Sequence, residues 1–315
     1  MAPASRKKVH IIEMGPRDGL QNEAAYLRTE EKVEFVKRLY QSGLRQIEIA
    51  AFVSPKWVPQ MADSRQVATK VLRWARAKAK DSSNLSIKNF SALVPNAIGA
   101  QAAIDAGLKR VAFFMSASEG FSQANTNCSV TESLERFSKI IETVRGRGVQ
   151  VRGYLSVCFF CPFDGAVDPK KVVRLSQTLL KKGCYEVSIG DTIGAATPGH
   201  VERLIKILKT SQVDINKIAM HFHDTRGTAL ANALKAYEMG VRTFDASVGG
   251  LGGCPYAPGA AGNVGTEDLV YMFEGMGINT GIDLPQLRRT KDWISKKVGR
   301  ELPSRVSRVG LPRGW

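Results

Sequence analysis

Short runs rich in β-branched and aromatic residues alternate with longer stretches of helical period along the whole chain. The strand-like runs fall at 9–13, 46–50, 90–94, 110–115, 149–157, 185–190, 218–223 and 243–248. Each is followed by an amphipathic stretch, at 29–42, 64–80, 97–106, 130–146, 169–182, 198–210, 227–239 and 266–275. Strands separated by helices at this spacing pair in parallel through right-handed crossovers. Eight such units predict an α/β chain closed into a (β/α)8 (TIM) barrel rather than an open sheet. No Gly-x-Gly-x-x-Gly follows the first run, which weighs against a dinucleotide-binding fold. No Pro/Ser-rich linker interrupts the units, so 9–281 reads as one domain. Residues 1–8 read as a disordered basic start. Residues 282–315 read as one more helix and a basic, poorly ordered tail, and 78–84 as a surface loop.

A barrel of this kind carries its chemistry at the C-terminal ends of the strands and in the loops after them. The first run leads into Gly15, Pro16, Arg17, Asp18 and Gly19, a tight polar loop at the expected mouth. The seventh ends in His221-Phe222-His223, half of the four histidines in the chain. Residues two apart on a strand share a face, so both imidazoles point the same way. A lone buried histidine is more often a satisfied core residue. A His-x-His at a strand's mouth, with Asp18 nearby, favours metal ligation. One carboxylate and two imidazoles without thiolates suit an open Mg²⁺, Mn²⁺ or Zn²⁺ centre rather than a structural zinc site. Glu48 stands between Ile47 and Ile49 in the second run and needs a partner there, for which Arg17 is the obvious choice. The sixth run ends at Asp191, another acid at the mouth. After the eighth comes a glycine-rich loop, 249–263, which holds Cys254 and ends at Asn263. Such a loop is either a lid or a plain connector, and Asn263 either completes a metal shell or caps the next helix.

Charge and cysteines narrow the classes. The formal net charge is +16, but the lysines and arginines are scattered over helix-like stretches and no nucleic-acid-binding signature accompanies them. The charge is read as a solvated surface that steers an anionic substrate, with nucleic acid excluded as a partner. No apolar run approaches the roughly 20 residues of a membrane span. The start has no apolar core of a secretory signal, so a cytoplasmic location is expected. Five cysteines at loose spacing fit reduced thiols rather than a disulfide framework.

With these residues in hand, the chain resembles the hydroxymethylglutaryl-CoA lyase family, within the barrel metallolyases that share an Arg-Asp signature after the first strand. The matching segments are 15–23, 52–60 (FVSPKWVPQ), 190–194, 221–225 and 249–263, and the likeness runs from about 9 to 281. It implies metal ligands Asp18, His221, His223 and Asn263, with Mg²⁺ or Mn²⁺ as cofactor. It implies that Arg17 stabilises a developing enolate, that Glu48 orients Arg17, and that Cys254 is a lid thiol used in proton transfer. Gln21 and Asp191 would line the acyl site, and Asn125 would contact the substrate. Asp18 or a histidine-linked water is the expected base. The implied reaction is cleavage of 3-hydroxy-3-methylglutaryl-CoA to acetyl-CoA and acetoacetate, a step of leucine breakdown and ketone-body formation, with an acyl-CoA as partner and a homodimer as the expected assembly. Phe159-Phe160 stands where such lyases carry smaller residues, which keeps a longer 3-hydroxy-3-alkylglutaryl-CoA open as substrate. A pyruvate-type aldolase or synthase of the same superfamily is the other alternative; it should lack the loop cysteine.

Overall fold

The structure is a computed structural model that describes residues 8–79, 85–253 and 262–314. Eight parallel strands close into a barrel: β1 (His10–Glu13), β2 (Gln46–Ala51), β3 (Phe90–Leu93), β4 (Arg110–Ser116), β5 (Gln150–Ser156), β6 (Cys184–Asp191), β7 (Ile218–Phe222) and β8 (Thr243–Ala246). The hydrogen-bonded order is β1-β8-β7-β6-β5-β4-β3-β2, closing back on β1. All eight expected strands are present, within two residues of the expected bounds at each end.

The helices form because each stretch has one apolar face and defined ends. In α6 (Pro169–Lys182), Asp168 caps the first turn by accepting from the Lys170 N–H at 2.9 Å. Pro169 opens the helix, and Gly183 closes it at φ 119°, a left-handed value that favours glycine. Val172, Val173, Leu175 and Leu179 are its buried face. The α5 helix (Val130–Val144) starts on a reciprocal Ser129–Glu132 capping box. Other helices are α1 (Thr29–Gln41), α2 (Ser64–Lys78), α3 (Ala97–Asp105), α7 (Pro198–Thr210), α8 (Ala229–Glu238) and α9 (Thr266–Gly275).

Several elements differ from the sequence pattern. A further helix, α4 (Glu119–Thr126), follows β4, and a small antiparallel hairpin pairs Phe160–Cys161 with Gly165–Ala166. The segment after α10 (Leu284–Val298) packs rather than trailing free. Leu302 is buried, Ser304 N–H donates to the Gly249 carbonyl at 2.9 Å, and a short helix α11 (Arg305–Val309) follows. Of the basic start, Lys8 lies within the described residues, bridged to Asn279. Most of the 78–84 loop lies outside them. Inside the barrel the core is not wholly apolar: Glu48, Arg152, Ser188 and Asp245 are all buried there.

Candidate active site

After β1 the chain makes a five-residue π-helical turn, Gly15–Gly19, at the mouth of the barrel. Gly15 is required by crowding: a Cβ there would lie 2.7 Å from Glu13 Oε1. The turn buries Arg17 and aims it across at β2. Its Nε donates to Glu48 Oε1, and its Nη1 lies 2.5 Å from Asp18 Oδ1. The other oxygen of Glu48 accepts from the Tyr154 hydroxyl at 2.9 Å. Glu48 is thus doubly satisfied, as a fully buried carboxylate must be. The Arg17 guanidinium also lies 5.6 Å from the centre of the Tyr154 ring, within cation–π range. Burial alone would lower Arg17's pKa, but Glu48 and Asp18 raise it, so it carries its charge throughout.

Asp18, His221 and His223 converge, with one donor atom from each within 4.8 Å of the others. The two Nε2 atoms face each other at 3.1 Å. Two acceptor lone pairs at that separation repel unless a proton or a cation lies between them. Burial, with the neighbouring His221, lowers His223 to about 4, which keeps it neutral and able to ligate. Burial would raise Asp18, but Arg17 and then the two histidines bring it down to about 2, so it is ionised. Asn263, bridged to His223 in backbone pairing, donates Nδ2 to Asp18 Oδ2 at 2.9 Å. Its buried Oδ1 has no hydrogen-bond partner among the described residues. An ionised carboxylate, two facing imidazoles and an unclaimed amide oxygen fit a divalent cation.

The site opens into a cavity of about 890 Å³, lined among others by Arg17, Asp18, Gln21, Trp57, Asn125, Tyr154, His221 and His223. Gln21 Nε2 reaches Asp18 Oδ1 at 3.5 Å. Asp191 is buried at the end of β6, beside the cavity. Its oxygens accept the Ala195 and Ala196 N–H groups, each at 3.0 Å, and Thr192 rather than Asp191 is on the cavity wall. Burial raises the Asp191 carboxyl against those hydrogen bonds. Phe159 is buried in the core and Phe160 packs edge-on against His200 at 5.1 Å; neither is on the wall. The motive for a longer acyl group is therefore gone. Cys254 lies outside the described residues.

Sequence reasoning missed Arg152, Tyr154 and Asp245. Arg152 and Tyr154 are two apart on β5 and so face the barrel interior together. That pairing was the available signal. Arg152 Nε donates to Glu186 Oε1 at 2.7 Å and Nη1 to the Tyr154 hydroxyl at 2.9 Å. Burial would raise Asp245, but Arg152 and His221 hold its carboxyl well below the usual carboxylate range.

A closed (β/α)8 barrel with one carboxylate and two imidazoles at its strand ends defines the class, a barrel enzyme with a candidate metal centre. The family model described as HMGL-like matches residues 8–294. The chain is 44% identical over 303 residues to the 3-hydroxy-3-methylglutaryl-CoA lyase, cytoplasmic, of Rattus norvegicus, covering 96% of this chain and 85% of that protein. It is 46% identical over 304 residues to the hydroxymethylglutaryl-CoA lyase, mitochondrial, of Gallus gallus, covering 96% and 98%. A solved HMG-CoA lyase of Acinetobacter baumannii, in complex with coenzyme A and 3-methylmalate, superposes with a TM-score of 0.90 at 35% identity, covering 99% and 98%. The chain belongs to the HMGL-like family, that of the hydroxymethylglutaryl-CoA lyases, which are carbon–carbon lyases. The carboxyl transferase domain of Rhizobium etli pyruvate carboxylase shares only the fold, at 18% identity and a TM-score of 0.67. That likeness gives the pyruvate-type alternative no support.

Proposed function

We propose that this chain cleaves 3-hydroxy-3-methylglutaryl-CoA into acetyl-CoA and acetoacetate with a divalent metal, Mg²⁺ or Mn²⁺, held by Asp18, His221, His223 and Asn263. The observation that carries it is the Asp18–His221–His223 cluster beside a buried, fully charged Arg17 in one cavity. A bound divalent ion supplies Lewis acidity toward the substrate's oxygens. The tertiary hydroxyl gives its proton to a histidine-linked water as base, the bond between the thioester's α-carbon and the carbinol carbon breaks to leave a ketone, and its electron pair passes to the thioester as an enolate. Arg17, fixed by Glu48, presents N–H groups where that oxygen gains charge. Cys254 is the proposed donor of the proton that the enolate carbon takes to become acetyl-CoA. Asp18 acts as ligand rather than base, since a carboxyl held at about 2 with both oxygens engaged is a poor proton acceptor. Gln21 and Asn125, both on the cavity wall, are proposed substrate contacts, and Asp191, whose oxygens hold the 195–196 backbone, is proposed to border the acyl site.

The test is acetyl-CoA release from a panel of 3-hydroxy-acyl-CoA thioesters, with and without EDTA. Release from the methylglutaryl thioester that EDTA abolishes and Mg²⁺ or Mn²⁺ restores is the expected result; full turnover by metal-stripped protein ends this reading. We also propose the cytoplasm as its compartment, on the free, buried thiols of Cys128, Cys158, Cys161 and Cys184. Fractionation against organelle markers tests it, because relatives are named for both cytoplasm and mitochondrion. A homodimer is the proposed assembly, and a single species of monomer mass in sedimentation ends that part. Among the described residues, no helix is long and apolar enough to cross a membrane.

A further inference from the structure

We infer that Asp245 is a positioning residue for the metal centre: it fixes the ring of His221 so that Nε2 faces the cluster. The inference rests on the metal reading of Asp18, His221 and His223 given above. Asp245 sits on β8, next to β7 in the barrel, and is 2% exposed. Its Oδ2 lies 3.4 Å from His221 Nδ1, while His221 Nε2 lies on the other side of the ring, 3.1 Å from His223 Nε2. A carboxylate can only accept, so the proton sits on Nδ1 and the lone pair on Nε2 is left for the ion. Such a carboxylate–imidazole pair orients a metal ligand.

Asp245 is itself immobilised. The Ser188 hydroxyl donates to Oδ2 at 2.7 Å and Arg152 Nη1 donates to the same oxygen at 3.1 Å. Arg152 Nη2 lies 2.8 Å from Oδ1. His223 has no counterpart, for its buried Nδ1 has no hydrogen-bond partner among the described residues. The two imidazoles are therefore held unequally, and the aim of the pair depends on Asp245. The same Arg152 reaches the Tyr154 hydroxyl, which donates to Glu48, which in turn holds Arg17. One buried guanidinium thus braces both the metal side and the enolate side of the cavity.

The experiment titrates Mn²⁺ into EDTA-stripped wild type, Asp245→Asn and Ser188→Ala by calorimetry. It also records the imidazole ¹⁵N shifts of the metal-free proteins. An asparagine in place of Asp245 offers an amide N–H to His221 and favours the opposite tautomer, as happens when an orienting aspartate is made asparagine in a catalytic triad. The expected result is Mn²⁺ affinity weakened about 10–100-fold in Asp245→Asn, the scale for losing such an outer partner. With it the His221 proton moves from Nδ1 to Nε2. Ser188→Ala keeps the charge and weakens affinity in the same direction by less. If Asp245→Asn does not fold, Ser188→Ala alone decides. Wild-type binding with unchanged affinity and tautomer in the folded variants overturns the role of Asp245. Failure of wild type to bind Mn²⁺ overturns the metal reading beneath it.

Discussion

Arg17 and Asp18 are adjacent in the chain and bonded to each other, yet their remaining partners set them different tasks. Glu48 takes the Nε of Arg17 and leaves part of the guanidinium toward the cavity, whereas Asp18 is turned to the histidines and Asn263. A donor aimed at charge that exists only in the transition state affects kcat and kcat/KM alike. Arg17→Gln is therefore expected to lower kcat about 10²–10³-fold, the scale for losing one oxyanion donor. Mn²⁺ affinity should stay near wild type. Cys254→Ala, scored in the same assays, should also lower kcat with metal binding intact. Steady-state kinetics decide: a normal kcat with only a raised KM would reduce Arg17 to a substrate-binding group.

The eight strand–helix units were legible because their two patterns differ so clearly. In β7, Ile218, Ala219, Met220 and Phe222 are all buried, whereas α6 buries one stripe of PKKVVRLSQTLLKK and leaves lysines at both ends. The α4 helix was not legible. EGFSQANT buries only Phe121 and Ser122, and its start depends on the Ser118 hydroxyl accepting from the Phe121 N–H. Asp245 reads as the lone charged residue of a short strand, and its Arg152 partner lies 93 residues away, beyond any local pattern. The C-terminal segment read as a tail because its anchors are likewise remote. Leu302 and Pro303 pack under Gly249 and Gly250, two consecutive glycines at φ 68° and 71°. A Cβ on Gly249 would lie 2.6 Å from Leu302 Cδ1, while one on Gly277, at φ 71°, would meet nothing within 4 Å. Gly277→Ala thus reports left-handed strain alone, about 1–2 kcal/mol. Gly249→Ala adds the clash and is expected to lose clearly more in urea denaturation. Equal losses would mean that the C-terminal segment does not press on this turn.

For the whole molecule, the junction that joins β1, the 248–250 turn and α9 contains two fully buried carboxyls. Glu13 accepts from Gly15 N–H, Val248 N–H and the Thr266 hydroxyl, and Glu267 accepts from Gly249 N–H. Burial pushes Glu13 up to about 7 and Glu267 up to about 8, the latter also facing Asp268 and Glu13. In the unfolded chain both return to about 4.5. Between those values the folded protein keeps protons that the unfolded chain has released. Their contribution to stability is complete below about 4.5 and is lost as pH rises through 7 and 8. His223 acts with the opposite sign: lowered from 6.5 to about 4, it costs stability only where the unfolded imidazole binds a proton, below about 6.5. Above that pH it is neutral in both states, and the slope there is assigned to Glu13 and Glu267. Melting of the metal-free protein in EDTA should therefore fall from about pH 6.5 to about pH 8.5. Glu267→Gln, an amide that stays neutral and can still accept from Gly249, should flatten that fall. Scanning calorimetry across the window checks both, and a wild-type melting temperature that is level or rising there would show that these glutamates are not kept protonated by the fold.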